Sequence, residues 1–315
     1  MQITVIEPLG INEKSFKKIQ SDFAASGHTF EYHLDRREEP DVVAERIGNA
    51  DIAILSNIKT DASVLKRCPN LKMLSIAFTG LDHIDLEYCK EHNIQVCNAA
   101  GYSTHAVSEL AVGLMIDLYR KITHFDGTIR TGKGRGNYLG RELRNKTVGV
   151  VGTGAIGRAT IKLLHAFGCN ITAYSRTEHE DLKEYGVTYT TLDNLMLQSD
   201  IVTLHLPLNA HTHHIIDAEK IALMKSNAIL VNTARGNICD IDAVATALKE
   251  GRIAGAAFDV FEHEPPLSPT HPLLNIPNAI CTPHVAYATR EAFDIRADIV
   301  FENVRQFIQN TTNKS

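Results

Sequence analysis

Four ionisable residues each stand at or just beyond the end of a short apolar run: Arg235 after residues 229–234, Asp259 after 254–258, Glu264 just before Pro265-Pro266, and His284 after 279–283. In an open α/β sheet, ligands bind at the C-terminal ends of the strands. A buried strand that ends in a charge is costly unless that charge is paired or used. The residue types define the available chemistry. A guanidinium holds a carboxylate through a planar fork and polarises a carbonyl oxygen. An imidazole gives or takes a proton near neutral pH. A carboxylate bonded to the second ring nitrogen fixes the tautomer and favours the imidazolium. Taken singly, each residue has a plainer reading: a surface arginine, a hydrogen-bonded structural histidine, an ordinary loop carboxylate. Their succession behind a nucleotide fingerprint favours a site.

That fingerprint is Gly152-Thr-Gly-Ala-Ile-Gly157. It follows a β-branched apolar run, residues 147–151, and opens a helical segment with apolar Ile156, Leu163, Leu164 and Phe167 and a C-cap at Gly168. Strand, G-x-G-x-x-G and helix in that order form a dinucleotide-binding arrangement. The first glycine permits a tight turn, the second lets backbone approach a pyrophosphate, and the third lets the helix pack on the strand. The helix N-terminus offers unpaired N–H groups and a partial positive charge to that anion. Gly152, Gly154, Ala155, Ile156 and Gly157 are the candidate contacts, against the plainer reading of a glycine-rich turn with no ligand.

These residues need parallel strands to position them. Strand-like runs occur at 2–6, 51–55, 71–76 and 94–97, then at 147–151, 170–174, 201–206, 228–233, 253–259 and 279–282, with helical segments between. The alternation predicts an α/β chain of two doubly wound parallel-sheet domains. Residues 1–100 with 286–315 form one, and residues 101–285 form a Rossmann dinucleotide-binding domain that contains the fingerprint. Apolar stripes predict long helices from about 105 to 125 and from about 290 to 309, read as joining the domains, with a frayed polar tail at 310–315.

Bulk properties exclude several classes. A length of 315 residues accommodates two domains. Net charge is −5 with no basic run, which argues against a nucleic-acid partner. Six scattered cysteines without a C-x-x-C pair read as reduced thiols rather than disulfides or zinc ligands. The chain opens on a strand without signal-peptide character, and no apolar run is long enough to cross a bilayer. The expectation is a soluble cytoplasmic protein without a membrane partner.

Four motifs then occur in order: Gly152-Thr-Gly-Ala-Ile-Gly157, Asn232-Thr-Ala-Arg-Gly236, Phe258-Asp-Val-Phe-Glu-His-Glu-Pro265 and Thr282-Pro-His-Val-Ala-Tyr287. Together they resemble the D-isomer-specific 2-hydroxyacid dehydrogenase family, over essentially the whole chain. The last motif is similar to the glycerate dehydrogenase/hydroxypyruvate (glyoxylate) reductase branch. That branch more often carries Trp where this chain has Tyr287, and the chain has no Trp. The resemblance implies reversible hydride transfer between a nicotinamide cofactor and a small 2-oxo acid, giving a D-2-hydroxy acid. It implies that Arg235 clamps the carboxylate and reaches the ketone oxygen. His284 beside the nicotinamide delivers the proton, and Glu264 holds the histidine's other nitrogen.

By the same resemblance, the first domain is a flavodoxin-like substrate domain. Its loop Ala77-Phe-Thr-Gly-Leu-Asp82 holds the substrate carboxylate through backbone N–H groups of Thr79 and Gly80 beside Phe78, with Asn57 or Ile58 at a neighbouring strand end. Tyr287 completes the substrate contacts. Thr104, Thr233 and Ala234 lie near the nicotinamide, Asp259 bonds its carboxamide, and Leu206, Pro207 and Thr212 line the adenine side. A homodimer through the nucleotide domain is also implied.

The second strand of the nucleotide domain bears on cofactor choice. NAD enzymes usually carry Asp or Glu there to hold the ribose hydroxyls. Here Ser175 occupies the acidic position and Arg176 follows. Loss of the carboxylate removes repulsion against a 2′-phosphate, and the guanidinium can pair with it, which favours NADP(H) over NAD(H). The plainer reading has Arg176 stacking on the adenine with either cofactor bound. His211, His213 and His214 have no accompanying carboxylate or Cys spacing, so no metal is expected. The basic stretch 130–144 lacks P-loop order and reads as a surface connection. Two alternatives stay open. Formate or phosphite oxidation is one, although formate enzymes of the superfamily carry an amide at the position of Glu264. The other is an NAD(H)-sensing module similar to the superfamily's corepressors, which a turnover assay separates from an enzyme.

Overall fold

The computed structural model describes residues 1–263 and 267–312, and these fall into two units, Met1–Ser103 with Ala288–Ser315 and Thr104–Tyr287. The first unit carries β1 (Gln2–Val5), β2 (Thr29–Tyr32), β3 (Ile52–Leu55), β4 (Met73–Ile76) and β5 (Gln95–Asn98), all parallel, in the order β2-β1-β3-β4-β5. Every residue of β3 and β4 is buried, as expected for strands covered on both faces. The strand order reverses between β1 and β3, which in doubly wound sheets marks the ligand crevice.

Sequence pattern missed β2. It is an edge strand whose residues alternate between exposed and half-buried, so it has no continuous apolar run to reveal it. Its Phe30 joins an aromatic cluster, with ring centroids 5.6 Å from Phe16, 5.8 Å from Phe23 and 6.1 Å from Phe301.

The second unit carries β6 (Thr147–Val151), β7 (Asn170–Tyr174), β8 (Thr188–Tyr189), β9 (Ile201–Leu204), β10 (Ile229–Asn232), β11 (Gly255–Phe258) and β12 (Ala279–Cys281) in one parallel sheet, order β12-β11-β10-β9-β6-β7-β8. This is the dinucleotide-binding strand order with a seventh strand beyond β11. The two-residue β8 is too short for any periodicity to show. The switch point lies between β6 and β9, and the glycine turn leaves β6 there.

Two helices differ from expectation. The helix expected over 105–125 is two, Thr104–Arg120 and Ile122–Arg130. Lys121 adopts a left-handed conformation at φ +53°, and the Asp117 carboxylate caps the new helix by accepting from the Thr123 N–H at 2.9 Å and from its hydroxyl. The last helix, Arg290–Thr312, runs through residues expected to fray. There the hydroxyls of Thr311 and Thr312 donate back to the carbonyls of Phe307 and Ile308 at 2.8 and 2.9 Å. All six cysteines are free thiols. Among the described residues no helix is long and apolar enough to cross a membrane, and no cluster of His, Cys, Asp or Glu is arranged to hold a metal.

Candidate functional site

The glycine turn owes its shape to steric limits. Gly152 has φ +99°, and a Cβ there would lie 2.6 Å from the His205 carbonyl oxygen. A Cβ on Gly157 would lie 2.0 Å from the Gly152 carbonyl oxygen, so the first turn of the helix Ala155–Ala166 sits directly on the loop. Gly154 is the N-cap, no side chain caps the helix, and a Cβ at this position would meet nothing within 4 Å. A helix start that is open in front and uncapped suits a phosphate. Ala155 is exposed and Ile156 half-buried.

His205 backs the turn. Its N–H donates to the Val151 carbonyl at 2.8 Å, and burial pushes its imidazole down to about 4, so it is neutral at physiological pH. Nε2 lies 3.1 Å from the Thr203 hydroxyl. The Gly152 N–H donates to the Tyr174 carbonyl at 2.8 Å, which sets the end of β7 beside the turn. Ser175 follows, half-buried, and then Arg176, exposed and without a hydrogen bond or ion pair to the described residues. Tyr189 secures this segment: its hydroxyl accepts from the His179 N–H at 3.0 Å and donates to the buried Thr153 hydroxyl at 3.3 Å. Sequence reasoning assigned nothing to Tyr189, because its partners lie ten and 36 residues away.

After β9, Leu206 is half-buried and Pro207 exposed. The Thr212 hydroxyl donates to the Pro207 carbonyl at 2.6 Å and accepts from the Asn209 N–H at 2.9 Å, which closes the loop into a turn. Thr104 is half-buried at the first residue of its helix.

Three adjacent strands end in register, with Asn232 opposite Phe258 and Phe258 opposite Cys281. Arg235, Asp259 and His284 therefore leave the same edge of the sheet. Asn232 is fully buried and clasps the loop after β10. Its side-chain oxygen accepts from the Ala234 N–H at 3.0 Å, and its amide donates to the Arg235 carbonyl at 2.9 Å. A Cβ on Gly236 would lie 2.0 Å from the Phe261 carbonyl carbon, so the loop presses against residues 261–262. Arg235 is half-buried, and its Nη1 donates to the Ala234 carbonyl at 2.7 Å. Thr233 is only 7 % exposed, and its hydroxyl has no partner among the described residues. A buried hydroxyl is normally satisfied, and one left open beside the strand ends fits a ligand that supplies the missing bond.

Asp259 is fully buried and builds the histidine loop. Oδ1 accepts from the Thr282 hydroxyl at 2.5 Å and the Val285 N–H at 2.9 Å, and Oδ2 accepts from the Ala286 N–H at 2.8 Å. The His284 N–H donates to the Asp259 carbonyl at 2.8 Å. Burial raises the Asp259 carboxyl above its ordinary range, while the bonds from Thr282, Val285 and Ala286 and the nearby His284 pull the other way. His284 has φ +53°, a conformation costing a non-glycine residue about 1–2 kcal/mol. The three bonds to Asp259 and the backbone bond hold it there. The His284 ring is half-buried and meets Tyr287 edge-on, centroids 5.2 Å apart at 89°. Glu264 lies outside the described residues.

The remaining candidates belong to the first unit. Ile58 is buried at 1 % exposure, Asn57 is half-buried, Phe78 is buried at 6 %, Thr79 is exposed and Gly80 half-buried. Glu7, which sequence reasoning passed over, is 2 % exposed at the end of β1. It accepts from the Ser56 N–H at 2.6 Å and from Arg36, which fixes the chain entering Asn57.

Residues 112–286 match the family described as D-isomer specific 2-hydroxyacid dehydrogenase, NAD binding domain. A glyoxylate reductase of Thermofilum pendens is 43 % identical over 253 residues, 78 % of this chain and 74 % of that protein. A glycerate dehydrogenase of Methylorubrum extorquens is 36 % identical over 279 residues, 85 % of this chain and 86 % of that protein. Among solved structures, a D-lactate dehydrogenase from Aquifex aeolicus complexed with NAD and lactic acid superposes with TM-score 0.87 at 29 % identity, covering 99 % of this chain and 97 % of that one.

Proposed function

The chain belongs to the D-isomer specific 2-hydroxyacid dehydrogenase family, and on that premise we propose that it is a nicotinamide-dependent oxidoreductase acting on CH–OH donors, reducing a small 2-oxo acid of the glyoxylate or hydroxypyruvate type to the D-2-hydroxy acid, and the reverse. The observation that carries this reading is the register-aligned edge where Arg235, Asp259 and His284 emerge beside the open Thr233 hydroxyl. The relatives named above are dehydrogenases and reductases, which leaves the sensor and the formate or phosphite readings without an observation in their favour.

The residues of the second unit fit a dinucleotide. Gly152, Gly154, Ala155, Ile156 and Gly157 cradle its pyrophosphate, Ser175 and Arg176 meet the adenosine ribose, and Leu206, Pro207 and Thr212 line the adenine side. Thr104, Thr233 and Ala234 hold the carboxamide end. The bound nicotinamide supplies the hydride. Arg235 pairs with the substrate carboxylate and draws electron density towards the carbonyl oxygen. His284, as imidazolium, donates its proton to that oxygen, and as the neutral base takes it back in the oxidative direction. Glu264 is assigned by sequence alone to the second ring nitrogen of His284. Asp259 sets the backbone on which His284 stands. Because its bonds from Thr282, Val285 and Ala286 occupy most of its acceptor capacity, a carboxamide contact uses the lone pair that remains. In the first unit, the N–H groups of Thr79 and Gly80 beside Phe78 receive the carboxylate, with Asn57 shaping side-chain selectivity, and Tyr287 of the second unit is assigned to the same task.

A panel of glyoxylate, hydroxypyruvate, pyruvate and longer 2-oxo acids with NADPH and NADH tests the assignment. Turnover on the short acids is expected. Stoichiometric dinucleotide binding without turnover on any of them would overturn it.

For the cofactor, NADPH is the preferred form. The support is an exposed guanidinium with no partner among the described residues next to a serine where a carboxylate would repel a 2′-phosphate. The double substitution S175D/R176A is expected to lower the NADPH-to-NADH ratio of kcat/KM by about 10- to 100-fold, the worth of one or two charge-assisted bonds. A ratio unchanged from wild type removes the argument.

A homodimer through this unit is supported by apolar exposure on and beside the helix Ile122–Arg130, where Ile122, Ile129 and Leu139 are 55 %, 66 % and 81 % exposed. Large exposed apolar side chains grouped in one segment mark an association surface.

A further inference from the structure

Three successive carbonyls after β4 each accept a hydrogen bond. The Ala77 carbonyl accepts from Nη1 of Arg296 at 3.3 Å, the Phe78 carbonyl from the Ala99 N–H at 3.0 Å, and the Thr79 carbonyl from the Asn98 amide at 2.7 Å. In a trans peptide the N–H points away from its own carbonyl. Each following N–H is therefore turned away from the bond that holds its carbonyl, and those of Thr79 and Gly80 donate to none of the described residues. Two successive backbone N–H groups left open in this way can receive an anion.

Arg296 holds the first of the three carbonyls. It is 4 % exposed, its Nη2 donates to the Leu9 carbonyl at 2.6 Å, and its guanidinium lies 4.1 Å from the Phe293 ring centroid and 5.7 Å from that of Tyr102. A guanidinium keeps its charge in such surroundings. Stacking on two rings and bonding two carbonyls from different loops leaves it one orientation. Two effects follow. The bond to Ala77 fixes the peptide from which the segment bearing the Thr79 and Gly80 amides starts. The buried charge also adds a positive potential that water screens poorly.

We propose that Arg296 is a positioning residue for the substrate carboxylate, holding the Ala77 carbonyl at the start of the segment that bears the amides of Thr79 and Gly80 and supplying positive potential beside it. This rests on the assignment of those amides to the carboxylate. It adds a determinant that no motif points to, since Arg296 lies twelve residues beyond His284 on a long amphipathic helix.

The test uses three variants of the full chain: R296M, which keeps an unbranched apolar stem without the charge, R296K, which keeps charge but not the fork, and N98A, which frees the Thr79 carbonyl from the other end of the row. For each, kcat and KM for glyoxylate are measured, with dinucleotide affinity by fluorescence and glycolate affinity to the NADP⁺-loaded protein by calorimetry. R296M is expected to raise KM and the glycolate Kd in parallel by roughly 10- to 100-fold, the worth of a hydrogen bond to a charged group. Its kcat should stay within about threefold of wild type and its dinucleotide affinity should be unchanged, a split that loss of transition-state contacts alone does not produce. R296K recovers part of the effect, and N98A shows a smaller shift in the same direction. Glycolate binding and KM unchanged in folded R296M overturn the proposal. If R296M does not fold, wild-type values in both R296K and N98A overturn it instead. Should the wild type bind glycolate but turn over no 2-oxo acid, the catalytic assignment falls while the calorimetric comparison still decides the role of Arg296.

Discussion

Replacing His284 by alanine lowers kcat for 2-oxo acid reduction by about 10²- to 10⁴-fold, the usual worth of a positioned general acid, and leaves dinucleotide affinity within about twofold, because affinity for the dinucleotide is carried by other contacts. Two features localise the loss. The glycine turn of Gly152, Gly154 and Gly157, proposed above for the pyrophosphate, lies on another part of the sheet edge, so removing an imidazole after β12 does not touch it. The loop bearing His284 is fixed through backbone groups and the Thr282 hydroxyl, all bonded to Asp259, and none of these bonds uses the imidazole. Alanine tolerates φ +53° less readily than histidine, so a small fall in thermal stability accompanies the loss of rate. Equal losses of turnover and dinucleotide binding would instead make His284 a structural residue.

The parts of this site that were legible in the sequence are those where one residue type satisfies a local constraint. Gly152 and Gly157 could be read directly, because a positive φ and a 2.0 Å approach to a carbonyl oxygen admit glycine alone. Strands β6, β9, β10 and β11 could be read because burial on both faces leaves apolar runs with no polar alternation. Arg235, Asp259 and His284 stood out as charges at the ends of such runs. Residues whose purpose depends on distant backbone were not legible. Asn232 is a polar residue inside a buried strand, and only the folded loop shows its amide spanning Ala234 and Arg235. Tyr189 sits on a strand of two residues, and Glu7 reaches Ser56 across 49 residues of sequence. The turn at Lys121 was hidden for a related reason. Apolar periodicity continues across it, and the break depends on Asp117 capping a helix that begins five residues later. Asp259 was found by type and position, but its three bonds to residues 282–286 place it first as the support of His284.

Arg235→Ala reduces kcat/KM for carboxylate substrates by about 10²- to 10³-fold, within the 2–5 kcal/mol expected when one partner of a hydrogen-bonded charge pair is removed. The expectation is sharp because the main chain at this position does not depend on the side chain. Asn232 holds the carbonyl of Arg235 and the N–H of Ala234, and Gly236 is packed against the backbone of residues 261–262. Deleting the guanidinium therefore removes a ligand contact from a loop that stays in place. Its bond to the Ala234 carbonyl lies within the same loop. Both kinetic constants should respond. Loss of the carboxylate clamp raises KM, and loss of the polarising contact on the ketone oxygen lowers kcat, since charge builds on that oxygen only as hydride arrives. Arg235→Lys recovers charge without the planar fork, so it should restore more of KM than of kcat. Measuring both variants on glyoxylate and hydroxypyruvate decides the matter. Activity retained in R235A, or a KM left at the wild-type value, removes the anchor on which the carboxylate specificity of this enzyme rests.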